Sequence, residues 1–182
     1  MPEETSASRE AINRLGLNPD NLGCVMLEVH MPDDYRVVLD PEWEYHSPKL
    51  EYVKGYEGDA HVTLLYGLLT SAEENKDLVD QVLETWHKPN LLVFPDVEAF
   101  PGDDGHEMYS AIVLTMEHND WDSESLEDAN GRLRRLPHVN GFPEYKPHVT
   151  VGYVLKPYTE LALERVREVL VRPFRTGDLE YT

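Results

Sequence analysis

Two triplets of identical composition, His61-Val62-Thr63 and His148-Val149-Thr150, stand 87 residues apart, each in an apolar run: "AHVTLLYGLL" from Ala60 and "PHVTVGYVLK" from Pro147. Side chains of an extended chain alternate faces, so His61 and Thr63 share one side of a strand, as do His148 and Thr150. Each motif therefore offers an imidazole beside a hydroxyl. Two such pairs facing each other across a cleft can cleave a phosphodiester. One neutral imidazole takes a proton from the attacking oxygen, the other, protonated, gives one to the leaving oxygen, and both hydroxyls hold phosphoryl oxygens. This chemistry calls for no metal and no cofactor. A lone His-x-Thr is an ordinary sheet sequence; the repetition in matched contexts, with Tyr66 and Tyr153 each five residues after the histidine, points to a catalytic pair.

The elements that must position these residues repeat as well. "SAEENKDLVDQVLETW" from Ser71 carries Leu78, Val79, Val82 and Leu83 at helical spacing after the first motif, and "TELALERVREVL" from Thr159 is helical after the second. "NLLVFPDVEAF" from Asn90 reads as one strand after the first helix and "FRTGDLEYT" from Phe174 as a strand after the second, so "PDVEAF" has a counterpart in "GDLEYT". The pattern is that of a degenerate internal duplication. Outside it, Ser6 to Leu15 reads as a short capped helix, "GCVMLEVHM" from Gly23 and "EMYSAIVLTM" from Glu107 as strands, and "DSESLEDANGRLRRL" from Asp122 as a helix. Residues Pro32 to Asp59 mix prolines, charges and aromatics without a period, which predicts a helical turn or two and a long loop.

The chain has 182 residues, 41% of them apolar, enough for one compact core and too few for two ordinary domains, so residues 1–182 are read as one domain of two pseudo-symmetric lobes. With 35 acidic and 16 basic residues the net charge is −19, which repels duplex DNA and leaves a small, locally held anion as the expected ligand. Cys24 alone cannot form an internal disulfide or a cysteine zinc site. The polar, acidic start and the lack of a long apolar stretch suggest a cytoplasmic protein without membrane association. Oligomeric state is not readable. His30, His46, His87, His106 and His118 are isolated and do not have metal-ligand spacing, and "PGDDGH" with Asp103, Asp104 and His106 reads as an exposed turn.

The two motifs, together with "LRRLPHVNGFPEYKPHVTVGYV" and "HVTLLYGLL", resemble the 2H phosphoesterases, and within them the phage enzymes that degrade cyclic oligonucleotide immune signals, the anti-CBASS phosphodiesterases. The resemblance implies an α+β fold of two similar lobes, antiparallel sheets with flanking helices and pseudo-two-fold symmetry about a central cleft. It implies metal-independent opening of 3′–5′ bonds in a cyclic di- or trinucleotide, a phage counter-defence in the host cytoplasm. His61 and His148 are then acid and base in unassigned order, and Thr63 and Thr150 are phosphate ligands. The motifs fit enzymes of the same fold that process RNA ends, 2′–5′ oligonucleotides or cyclic phosphates equally well; a non-catalytic cyclic-nucleotide sponge would have no use for the acid-base pair.

Nucleobases need flat partners. Trp43, Tyr45, Tyr56, Phe142 and Tyr145 stand in irregular segments before the two motifs, where they either stack on a base or anchor the loops. Lys146, two residues before His148, is a candidate phosphate contact, and the resemblance makes Glu180, on the last strand, a candidate acceptor for a base edge. His138 in "PHVN" lacks an apolar continuation and reads as a loop residue. Arg132, Arg134, Arg135 and Lys156 either approach substrate or compensate a helix C-terminus.

Overall fold

Gly23–Val29 (β1), His61–Leu68 (β2), Tyr109–Thr115 (β5), which is buried along its whole length, and His148–Leu155 (β6) build the middle of a seven-stranded sheet in a computed structural model that describes residues 22–31, 37–69, 76–102, 108–117, 120–139, 144–170 and 172–182. The remaining strands are Leu91–Val93 (β3), Asp96–Pro101 (β4) and Pro173–Tyr181 (β7). The order is β3-β7-β1-β2-β6-β5-β4, and neighbours run antiparallel. The helix expected at Ser6 to Leu15, the turn residues Asp103 to His106, His118 and Phe142 lie outside the described residues.

One apolar row crosses six strands through the register pairs Leu179–Leu27–Val62–Val149–Leu114–Val97. Its four central members are 0% exposed. On that face pack the helices Lys76–Val82 (α1), Ser123–Leu133 (α2) and Thr159–Leu170 (α3). The apolar stripes that seat them recur at helical spacing, Leu126, Ala129 and Leu133 in α2 and Ala162, Val166 and Leu170 in α3. In α1 only part of the expected stripe is core: Val79 is buried, with Leu83 just beyond the helix, while Leu78 is 47% exposed.

The single strand expected from Asn90 is two. Pro95 has no N–H to donate to a ladder, and the chain breaks there between β3 and β4. These two strands lie on opposite edges of the sheet, yet Val93 and Asp96 are three residues apart, a reach of about 10 Å at most. The sheet therefore curls until its edges meet.

The duplication maps onto this order with an exchange. A two-fold between Val62 and Val149 relates β2 to β6, β1 to β5 and β7 to β4. The strand following each motif's helix, β4 or β7, thus adds to the sheet half that holds the other motif. The long loop before β2 takes part as well: it contains a helical turn at 37–38 and an irregular hairpin bridged at His46 and Lys54, whose outer residues Glu44 and Tyr56 bridge to Val154 and Gly152 of β6. Reciprocally, His138 in the loop before β6 bridges to Leu68 of β2. Gly67 has φ +106 there, and a Cβ on it would stand 2.8 Å from the Val139 carbonyl oxygen, so the close approach requires glycine.

Candidate active site

The register Val62 opposite Val149 places His61 across from Thr150 and Thr63 across from His148. Both valines point into the core, so all four polar side chains stand together on the face away from the helices, each half-buried. Diagonal neighbours in such a pair are about 7–8 Å apart, room for a phosphate between the imidazoles. Past this point the edge of β6 pairs instead with the hairpin, through Tyr45 N–H to the Tyr153 carbonyl at 2.9 Å and Tyr153 N–H to the Gly55 carbonyl at 2.9 Å.

Both histidines are oriented by the same bond. His61 Nδ1 lies 2.8 Å from the Asp59 carbonyl oxygen, and His148 Nδ1 lies 2.9 Å from that of Lys146, in each case two residues back. A carbonyl oxygen only accepts, so Nδ1 carries a hydrogen in both rings and Nε2 is left for proton transfer. Burial holds His148 below the ordinary histidine pKa; its bond to the Lys146 carbonyl pulls the other way, and the charges of His61 and Lys146 reinforce the depression.

Each threonine is followed by a β-bulge. Met26 pairs with Thr63 and Val25 with Leu65, leaving Leu64 over; Val113 pairs with Thr150 and Ile112 with Gly152, leaving Val151 over. The extra residue restores the next tyrosine to the histidine face, which explains the five-residue spacing. Tyr66 there meets Leu22 and Val139, and Tyr153 meets Tyr45 and Tyr109. The carbonyl of Leu64 accepts a 2.6 Å hydrogen bond from Asn130 Nδ2 in α2, that of Thr63 one of 2.8 Å from Tyr145 Oη, and that of Val151 one of 2.8 Å from the Glu57 N–H.

The other sequence candidates divide. Tyr45 is buried, stacked on Tyr109 with centroids 4.8 Å apart; it anchors the hairpin and has no free face for a base. Tyr145 is likewise committed, its hydroxyl to Thr63 and its ring to the core. Trp43 stacks on Tyr158 at 6.4 Å and packs against the core, as does Tyr56. Lys146 reaches the site: its Nζ is 2.7 Å from Glu98 Oε2 and 5.7 Å from the Phe100 ring centroid. Glu180 is exposed opposite Met26, in the row that continues to Thr63. His138 bonds the Leu136 carbonyl through Nδ1 at 2.7 Å, as a loop residue. Arg132 bonds Asp128 and Thr85, and Arg134 bonds Asn130, so these two brace α2.

Three residues here were missed from sequence. Phe100 stands edge-on to His148 with centroids 5.3 Å apart. Glu98 and Thr115 lie beside it: hydrogen bonds from Lys146 and then Thr115 hold the Glu98 carboxyl below its ordinary pKa. The signal was present, because "PDVEAF" and "GDLEYT" make Glu98 the repeat mate of Glu180. Among the described residues no three His, Cys, Asp or Glu side chains are grouped to hold a metal ion, and no helix is long and apolar enough to cross a membrane.

No known family model and no curated protein matches the chain. Solved structures do. A structure of Kluyveromyces marxianus Usb1 aligns with a TM-score of 0.56 at 13% identity, covering 89% of this chain and 93% of that one. A second, of Kluyveromyces marxianus Usb1 with uridine monophosphate, aligns with a TM-score of 0.58 at 13% identity, covering 91% and 95%. The chain has the fold of these structures, the two-lobed α+β arrangement that the resemblance to 2H phosphoesterases implies. Neither structure points to the phage branch.

Proposed function

We propose that this chain is a phosphodiesterase of the 2H type acting on ribonucleotide linkages at RNA ends, with His61 and His148 as its acid-base pair and Thr63 and Thr150 holding the phosphoryl group. The observation that carries the reading is the Val62–Val149 register, which sets two imidazole-hydroxyl pairs on one face with both Nδ1 atoms tied to backbone carbonyls. The ligand of the second Usb1 structure, a ribonucleotide, favours linear RNA over the cyclic oligonucleotides expected at first. A net charge of −19 leaves little surface for a long RNA, which favours engagement of a few terminal nucleotides.

That same charge keeps a second reading in play, the opening of 3′–5′ bonds in cyclic di- or trinucleotides. One incubation separates the two. Short oligouridylates and a panel of cyclic nucleotides are offered with EDTA present, and products are resolved by chromatography. Shortened oligouridylates are the expected result; turnover confined to cyclic substrates selects the second reading, and retention of a cyclic nucleotide without turnover makes the chain a sponge.

A further inference from the structure

Three consecutive residues lead into His148, and the sequence and the fold constrain each of them differently. Tyr145 donates its hydroxyl to the Thr63 carbonyl at 2.8 Å, which ties the segment to β2. Lys146 is held at both ends: its carbonyl lies 2.9 Å from His148 Nδ1, and its Nζ lies 2.7 Å from Glu98 Oε2 of β4. Pro147 locks its own φ and confines Lys146 to extended backbone, so the link from Lys146 to His148 is stiff.

The chain of contacts then closes on itself. The Lys146 ammonium also stands 5.7 Å from the ring centroid of Phe100, two residues beyond Glu98 on β4. The Phe100 ring in turn meets the His148 ring edge-on, with centroids 5.3 Å apart and planes inclined by 70°. His148 is thus gripped at Nδ1 by the Lys146 carbonyl and at its ring by Phe100, and Glu98 fastens the side chain that lies between them. Both grips bear on one degree of freedom, the rotation of the imidazole about its bond to Cβ, which decides where Nε2 points. The hydrogen bond from Lys146, first, holds the Glu98 carboxyl below its ordinary pKa, so the carboxylate stays ionised at neutral pH. The other half lacks the residues for such a latch. The repeat mates of Lys146, Glu98 and Phe100 are Asp59, Glu180 and Thr182, two carboxylates that repel and no ring, and Ala60 stands where Pro147 does.

We propose that Glu98 and Phe100 are positioning residues for His148: together with Lys146 they form a latch that keeps Nδ1 on its carbonyl and Nε2 aimed at the phosphate. The proposal rests on the phosphodiesterase reading above. Both residues act through the imidazole, and the Lys146 ammonium serves Glu98 rather than a substrate phosphate.

Of the measurements that test this, one is independent of turnover. In proton–nitrogen correlation NMR of the neutral imidazole, wild type should show His148 as a single Nδ1–H tautomer, and Phe100→Leu and Glu98→Gln should show it mixed with the Nε2–H form. On uridylyl-uridine, Phe100→Leu should lower kcat about 10-fold with KM within about 2-fold, and Phe100→Tyr should restore most of the loss. Phe100→Met replaces the leucine variant should that fail to fold. Glu98→Gln and Lys146→Met should each lower kcat about 3-fold, and together no more than the larger single loss. In a His148→Ala background, Phe100→Leu should change the residual rate less than about 2-fold, because nothing is left for the latch to hold. A His148 tautomer unchanged in the folded Phe100 and Glu98 variants, a loss that persists without His148, or a raised KM in Lys146→Met alone overturns the latch. A wild type that leaves the dinucleotide intact overturns the phosphodiesterase reading instead, and the tautomer still decides the latch.

Discussion

The sheet halves around β2 and β6 use one backbone device and secure it differently. In both, a residue bulges directly after the threonine, and its freed carbonyl must find a donor. In the β6 half that donor is the backbone N–H of Glu57, supplied by the hairpin laid along the strand edge. In the β2 half it is a side chain, Asn130, itself buried and held at Oδ1 by Arg134 at 2.8 Å. The histidines show the reverse pattern: their backbone tethers are identical, and their charged surroundings differ. Backbone geometry is thus duplicated in the two halves, and the charged groups set around it are not.

The largest effects fall on the arms. His61→Ala and His148→Ala should each lower kcat/KM by at least about 10²-fold while circular dichroism and thermal unfolding report a retained fold. Near-native activity in either folded variant breaks the pairing. The pH profile of kcat/KM should be a bell, measured where the chemical step limits the rate. A base that burial holds below the ordinary histidine value remains neutral further into acid, so with His148 as base the acid limb falls below about pH 6.5. An acid limb above that value would show that His148 is not the base.

Next is the bulge. Asn130→Ala removes the amide that donates to the Leu64 carbonyl and leaves a cavity at a buried site, a cost of about 1–3 kcal/mol in chemical denaturation. Glu57→Ala keeps its N–H and should stay within about 0.5 kcal/mol of wild type. Equal costs at the two positions would show that the halves are not secured differently. In the proposed mechanism Thr63→Val and Thr150→Val each delete one phosphate hydrogen bond and no proton transfer, so steady-state kinetics should show losses of about 10-fold, below those of the histidines.

Much of this was legible in the sequence because strands carry a period of two and the duplication repeats chemistry. His61, Thr63, His148 and Thr150 fell on one face as alternation requires, and the strand and helix after each motif are present. What was not legible depends on pairing between distant segments. That β4 leaves its own half to flank β5, bringing Glu98 and Phe100 to His148, follows from sheet order, which local periodicity does not encode. Which of the two roles left open for Tyr45 applies was not legible for a related reason. Tyr45 stands in a segment without a period, and only its bridge to β6 buries it against Tyr109. Asn130, on an amphipathic helix, gave no sign that a bulge 66 residues earlier needed its amide.

The smallest effect sharpens the contrast between the halves at Tyr145. Its hydroxyl donates to the carbonyl of Thr63, the residue before the bulge, so Tyr145→Phe deletes one neutral hydrogen bond and keeps the ring in the core. The expected cost is about 0.5–1.5 kcal/mol, with a change in activity smaller than that of Thr63→Val. Burial, first, and then the negative charge of Glu127 push the phenol pKa far up, so the hydroxyl remains a donor wherever an ordinary tyrosine would. A group whose neutral form is favoured on folding contributes fully below its unfolded pKa, near 10, and loses that contribution only above it. The stability difference between wild type and Tyr145→Phe, read from denaturant midpoints, should therefore be constant between about pH 6 and pH 9. A difference that shrinks as pH rises through that window would mean that the hydroxyl titrates early, and that the Thr63 carbonyl is not what it serves.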